Sequence, residues 1–161
     1  ILPSSTTLET LNQAEAHALF LSNGPGDPAV LGEQIALVRA VMQEMPVLGI
    51  CLGHQLIALA LGATTYKMRF GHHGINHPVR DERTGAVFVT SQNHGFAVDE
   101  ASLPEGCSVW MRNANDRSVE GLAHSELPVA SVQFHPEAAP GPADAAWIFD
   151  AMLELVAGKE R

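Results

Sequence analysis

The sequence predicts an α/β fold: a mostly parallel sheet with helices on both faces and an antiparallel β excursion. Three observations carry that expectation. Short apolar runs alternate with helical periods from Leu8 to Leu61, the strand-helix order of a parallel sheet. Residues 63–135 then hold several short β-like runs with no long helix between them. A last apolar strand and a helix return the chain to its first pattern.

The elements follow in order. Thr6-Thr7-Leu8-Glu9 has capping-box spacing and opens a short helix. Ala18-Leu19-Phe20-Leu21 is a short apolar strand. Ser22-Asn23-Gly24-Pro25-Gly26-Asp27-Pro28 is a loop, because its Gly and Pro residues break both periods. Leu31, Ile35, Val38 and Met42 repeat at helical spacing within Val30 to Met45. Strand Val47–Ile50 and helix Leu52–Leu61 come next, and Gly62 ends the helix. The excursion contains runs at Thr64–Met68, Ala86–Ser91, Phe96–Val98, Ser108–Arg112 and Val119–Ala123. Val129–Phe134 returns as a strand, and a helix over about Ala143–Val156 closes the chain with Trp147, Ile148, Met152, Leu155 and Val156 as its apolar positions.

The bulk properties exclude several classes. At 161 residues the chain has the size of one domain with its own core. A formal charge of -9 argues against nucleic acid and anionic membrane as partners. No apolar stretch reaches the roughly 18 residues that a membrane span requires. Cys51 and Cys107 are the two cysteines, and no secretory signal accompanies them, so a reducing cytoplasm fits better than a disulfide. Cys107 reads as a small buried hydrophobe. The chain opens Ile1-Leu2-Pro3 without a methionine, as if at the end of a strand, so a domain incomplete at its N-terminus is expected over residues 1–161.

Chemistry concentrates at Gly49-Ile50-Cys51-Leu52-Gly53-His54-Gln55, where a buried strand turns sharply into a helix. A nucleophile on such an elbow is held out toward substrate. The helix start beside it favours thiolate over thiol, so Cys51 is expected to be acidified. Glycines 49 and 53 leave room for close approach. A thiol nucleophile also needs a proton partner. His135 stands at the end of the last predicted strand, where open α/β sheets place their sites. Glu137, two residues on, can reach back to the imidazole and orient it. His135-Pro136-Glu137 alone would read as an ordinary strand-end turn; the upstream elbow reverses that order. The Leu52 N–H at the helix start can serve an oxyanion, and Gly24-Pro25-Gly26 can supply another donor or be a plain turn.

Together these segments resemble class I glutamine amidotransferases. Phe70-Gly71-His72-His73-Gly74-Ile75-Asn76-His77-Pro78-Val79, Gln92-Asn93-His94-Gly95-Phe96-Ala97-Val98 and His135-Pro136-Glu137-Ala138-Ala139-Pro140-Gly141-Pro142 are similar to the branch of that family that serves carbamoyl phosphate synthesis. The resemblance implies a flavodoxin-like sheet lacking its first strand and helix. It implies a Cys51, His135, Glu137 triad that hydrolyses L-glutamine. Glutamine contacts would fall at Gly24, Gly26, Leu52, Gln55, Asn93, Gly95 and Phe96, with Gln55 offering its amide and Phe96 walling the pocket. Ammonia would pass to a large synthetase subunit that uses bicarbonate, ATP and Mg2+, and the product would feed pyrimidine and arginine synthesis. No cofactor is expected on this chain. His72, His73 and His77 are placed in a glycine-rich loop, and no metal is expected there. The alternatives are an amidotransferase for another synthase, a non-catalytic fragment of the fold, and an elbow hydrolase of peptidase type.

Overall fold

Three short apolar strands form the parallel part of the sheet: β1 (Leu19–Leu21), β2 (Val47–Ile50) and β7 (Val129–Val132). The structure is a computed structural model that describes residues 1–138 and 140–159; Ala139 of the Pro-Gly-Pro tail lies outside them. β3 (Thr65–Asp81), β4 (Val87–Val98), β5 (Cys107–Asn113) and β6 (Val119–His124) pair antiparallel and join the same sheet through β6 and β7. The seven strands run in the order β1-β2-β7-β6-β5-β3-β4.

Strand alternation separates two cores. Val47 and Val129 face α1 (Leu8–Gln13), α2 (Gly32–Val41) and α3 (Leu52–Leu61), packing with Leu11, Val38, Val41, Ile57 and Ala60. Leu48, Ile50 and Val132 face the other way with Phe134, Trp110 and Met111, under Ile148 and Met152 of α4 (Trp147–Lys159). Phe134 is fully buried, so truncation to Ala would cost about 3–5 kcal/mol. A third cluster, Ala58, Ala63, Val98, Val119 and Leu122, seals α3 against the antiparallel part. No helix among the described residues is long and apolar enough to cross a membrane.

Four local expectations are corrected. Thr7, not Thr6, caps α1, with its hydroxyl accepting from the Thr10 N–H at 3.3 Å; Glu9 bonds Gln13 instead of closing a box. The second helical stretch is shorter than Val30 to Met45, because Pro28–Val30 forms a 3-10 turn and α2 ends at Val41. The 70–79 segment is strand rather than loop. Gly71 and Gly74 have φ of 71° and 150°, and register shifts between Lys67/His72 and Gly74/His77 absorb them as bulges within β3. Finally, β7 ends at Val132. Beyond it the chain changes partners: the Gln133 N–H donates to Glu120 O and the His135 N–H to Ser91 O, both at 2.8 Å.

Candidate active site

Cys51 sits between β2 and α3 with φ 52° and ψ -104°, a conformation rare for a residue with a side chain. Both flanks hold it there. Its N–H continues the sheet by donating to Val132 O at 2.9 Å, and its C=O receives the first bond of α3 from the Gln55 N–H at 3.2 Å. The elbow needs its glycines. A Cβ on Gly49 would lie 2.6 Å from the Gly53 carbonyl carbon, and one on Gly53 would lie 2.3 Å from Leu21 O. Substrate room is only part of their role; they let β1, β2 and α3 touch.

The side chain itself is buried. Burial pushes its thiol up to about 11; the Leu52 N–H works against this, and the negative charges of Glu137 and Glu120 add to it. This overturns the expected acidified thiolate. At neutral pH Cys51 carries its proton, because desolvation outweighs the single amide at the helix start.

His135 lies past the end of β7, the parallel neighbour of β2, and the charge of its partner Glu137 reaches Cys51. Ile50 pairs with Val132, so Cys51 and His135 follow the ends of adjacent parallel strands. The His135 Nδ1 lies 2.7 Å from Glu137 Oε1, and its Nε2 is buried with no partner among the described residues. Nδ1–H donating to the carboxylate leaves Nε2 as the free lone pair, the tautomer a general base requires.

The other candidate residues differ in packing and exposure. Gly24 packs on Leu52: a Cβ there would lie 2.7 Å from Leu52 Cδ2. Gly26 has φ 101° and opens to space. Asn93 is exposed and its Oδ1 lies 2.8 Å from His73 Nδ1; Gly95 has open space where a side chain would be. The reading of Gln55 changes. Its amide nitrogen donates to Phe96 O at 2.8 Å and to Gln133 Oε1 at 2.9 Å, so one hydrogen braces the Phe96 wall and the other holds Gln133, and neither faces a ligand.

Sequence reasoning missed a buried polar layer behind this wall. His54 is wholly buried against Ser131 Oγ at 2.9 Å, and burial, with the nearby His94 charge, pushes it down to about 3. Gln92, His94, Gln133 and Glu120 are buried as well. The available signal was Glu120, an acidic residue inside the otherwise apolar Val119-Glu120-Gly121-Leu122 strand. Among the described residues, His72, His94 and Glu120 place ligand-type atoms within 4.8 Å of one another. His72, His73 and His77 do not form such a group.

A cysteine at a strand-helix elbow, an imidazole paired with a carboxylate and a helix-start amide stand on one α/β sheet, the geometry of a candidate Cys–His–Glu site. The description "Glutamine amidotransferase class-I" matches residues 1–155, and the chain belongs to that family. It is 50% identical over 161 residues to the carbamoyl phosphate synthase small chain of Akkermansia muciniphila, covering 100% of this chain and 43% of that one. It is 52% identical over 150 residues to the arginine-specific small chain of Bacillus subtilis, covering 92% and 42%. The chain thus spans less than half the length of these relatives. Among solved structures, a glutamine amidotransferase from Thermotoga maritima superposes with a TM-score of 0.64 at 23% identity, over 96% of this chain and 68% of that one. A Thermoplasma acidophilum protein described as part of a GMP synthase gives 0.81 at 23% identity, over 99% and 81%. These last two likenesses concern the fold.

Proposed function

We propose that this chain is the glutaminase part of a carbamoyl-phosphate synthetase small subunit. The observation that carries the reading is the His135–Glu137 pair at 2.7 Å beside the Cys51 elbow. Similarity to carbamoyl phosphate synthase small chains along the whole chain supports the choice of synthase.

In this reading glutamine binds with its carboxamide over Cys51, between the Gly24–Gly26 loop and the Asn93–Phe96 segment. His135 Nε2 takes the thiol proton as Sγ attacks the carboxamide carbon, which gives a tetrahedral oxyanion. The Leu52 N–H, with an amide from the Gly24–Gly26 loop, stabilises that oxyanion. The imidazolium, held by Glu137, returns the proton to nitrogen, and ammonia leaves a glutamyl thioester. Water, deprotonated by His135, adds to the thioester, and glutamate departs as the thiol is restored. The balance is glutamine plus water to glutamate plus ammonia. Ammonia passes to the large synthetase subunit in the cytoplasm, where ATP, Mg2+ and bicarbonate are used.

The test is glutamate release by the full-length small chain, alone and with its large subunit, beside Cys51→Ala. Release that disappears in the variant and rises with the partner, with carbamoyl phosphate as product, supports the reading. Release that persists in Cys51→Ala removes Cys51 as nucleophile. Release without carbamoyl phosphate redirects the ammonia to another synthase.

A further inference from the structure

We propose that His72 and Glu120 are a buried positioning pair for the glutamine-binding strand, holding Gln92 and His94 and through them the Asn93–Phe96 segment. The inference rests on the glutaminase reading above.

The geometry is a relay. Glu120 of β6 is 0% exposed, and its Oε1 lies 3.4 Å from His72 Nδ1 of β3 and accepts from Asn113 Nδ2 of β5 at 3.2 Å. His72 Nδ1 is also 2.9 Å from Gln92 Oε1, and its Nε2 is 2.9 Å from Asp116 Oδ2. His94 Nδ1–H donates to Phe96 O at 2.8 Å, and its Nε2 packs 2.9 Å from Gln92 Oε1, where the neutral imidazole has no second hydrogen to donate. The Phe96 carbonyl also accepts from Gln55, four residues past Cys51. The backbone of Glu120 accepts from the Gln133 N–H, two residues before His135. One acidic residue therefore touches both arms of the site, by side chain toward the pocket wall and by backbone toward the general base.

The pair members need each other. Glu120 Oε2 is buried without a partner among the described residues, and burial raises its carboxyl pKa while the bonds from His72, Asn113 and Gln92 work against this, so a cation beside Oε1 is what favours the ionised form. The groups facing His72 are Glu120 on β6, Asp116 in the β5–β6 turn, His94 on β4, and His73 and His77 on its own strand. The hydrogen bond to Glu120, aided by Asp116 and opposed by burial, pushes the imidazole up to about 9. Apolar residues would fill this space at no loss of stability, but they would not hold His94 against the Phe96 carbonyl through His72 and Gln92.

The experiment measures glutamine KM and kcat from pH 6 to 9, with unfolding midpoints, for the full-length small chain with its synthetase partner. Wild type is compared with Glu120→Gln, His72→Gln and the double variant. The pair requires KM to rise by about tenfold in Glu120→Gln while kcat changes by less than about threefold. It also requires that KM in Glu120→Gln vary with pH across the range where His72 now titrates, whereas in wild type it stays flat until pH approaches 9, where His72 loses its proton. The double variant should be no worse than His72→Gln alone. Should Glu120→Gln not fold, His72→Gln carries the same KM-against-kcat readout. Unchanged KM in the folded variants, with only lower midpoints, would overturn the positioning role. A stoichiometric divalent metal in the wild type, whose removal by chelator raises KM, would replace the ion pair with a cation site on His72, His94 and Glu120. An inactive wild type would remove the glutaminase reading itself, and this proposal with it.

Discussion

Cys51 is kept protonated by its own fold. Burial dominates, two carboxylates reinforce it, and one helix-start amide opposes it. In the proposed mechanism the nucleophile is therefore made when His135 takes its proton, rather than stored as a thiolate. Iodoacetamide should alkylate Cys51 slowly at neutral pH, with a rate that climbs through the ordinary thiol range toward 11. A fast rate already saturated near neutrality would contradict this. Glu137→Gln should lower turnover by roughly a hundredfold at an unchanged unfolding midpoint, because the imidazolium loses its stabilising carboxylate charge while little packing is lost. Full activity would make Glu137 a surface residue. The Cys51 elbow and the His135–Glu137 contact were legible in the sequence, because an elbow and a two-residue reach are local patterns. The raised thiol was not. It depends on the burial that the whole fold creates and on Glu120, which β6 brings in from far along the chain.

The β2-elbow-α3 element is the rigid part of the site. Its bounds were readable because a buried strand, two glycines and a Gly62 cap are all local signals; Gly62 has φ 108° and ends α3 as expected. Gly53→Ala should destabilise the protein by about 1–3 kcal/mol, since the new methyl meets Leu21 O and its attached backbone rather than a movable side-chain end. Urea unfolding checks this, and an unshifted midpoint would mean that β1 can move away from α3. The β3–β4 hairpin was the least legible element. The 70–79 run read as a glycine-rich loop and the β-like runs stopped at Ser91 and resumed at Phe96, but bulges take up Gly71 and Gly74 and pairing resumes on either side. The sequence therefore showed fragments where the fold has one long ribbon carrying Gln92 to Phe96.

Across the whole molecule, the buried histidines set the response to acid. Burial holds His54 down at about 3 and His94 at about 4. The unfolded chain binds these protons near 6.5, so the stability they contribute is present above that value and is lost as pH falls through the window down to about 3. His72 has the opposite sign. Raised to about 9, it contributes fully below 6.5 and is lost as pH rises toward 9. Unfolding midpoints should therefore decline on both sides of neutrality, and His54→Asn should flatten the acid side. An unchanged acid side in that variant would show that other groups control it. Alternating strand and helix signals announced the sheet class and both helical faces. The order in which β6, β5 and β3 extend the sheet was not readable, because antiparallel partners are chosen by tertiary packing rather than by any one segment's pattern.

The central claim is that Cys51 attacks glutamine with His135 as its base. Peptide mass spectrometry of the full-length small chain, acid-quenched during turnover of isotopically labelled glutamine, tests it most directly. The expected result is a labelled glutamyl group on the Cys51 peptide, absent in Cys51→Ala and slow to form in His135→Asn. Labelled glutamate produced at the wild-type rate by His135→Asn, or label found on a residue other than Cys51, would contradict it.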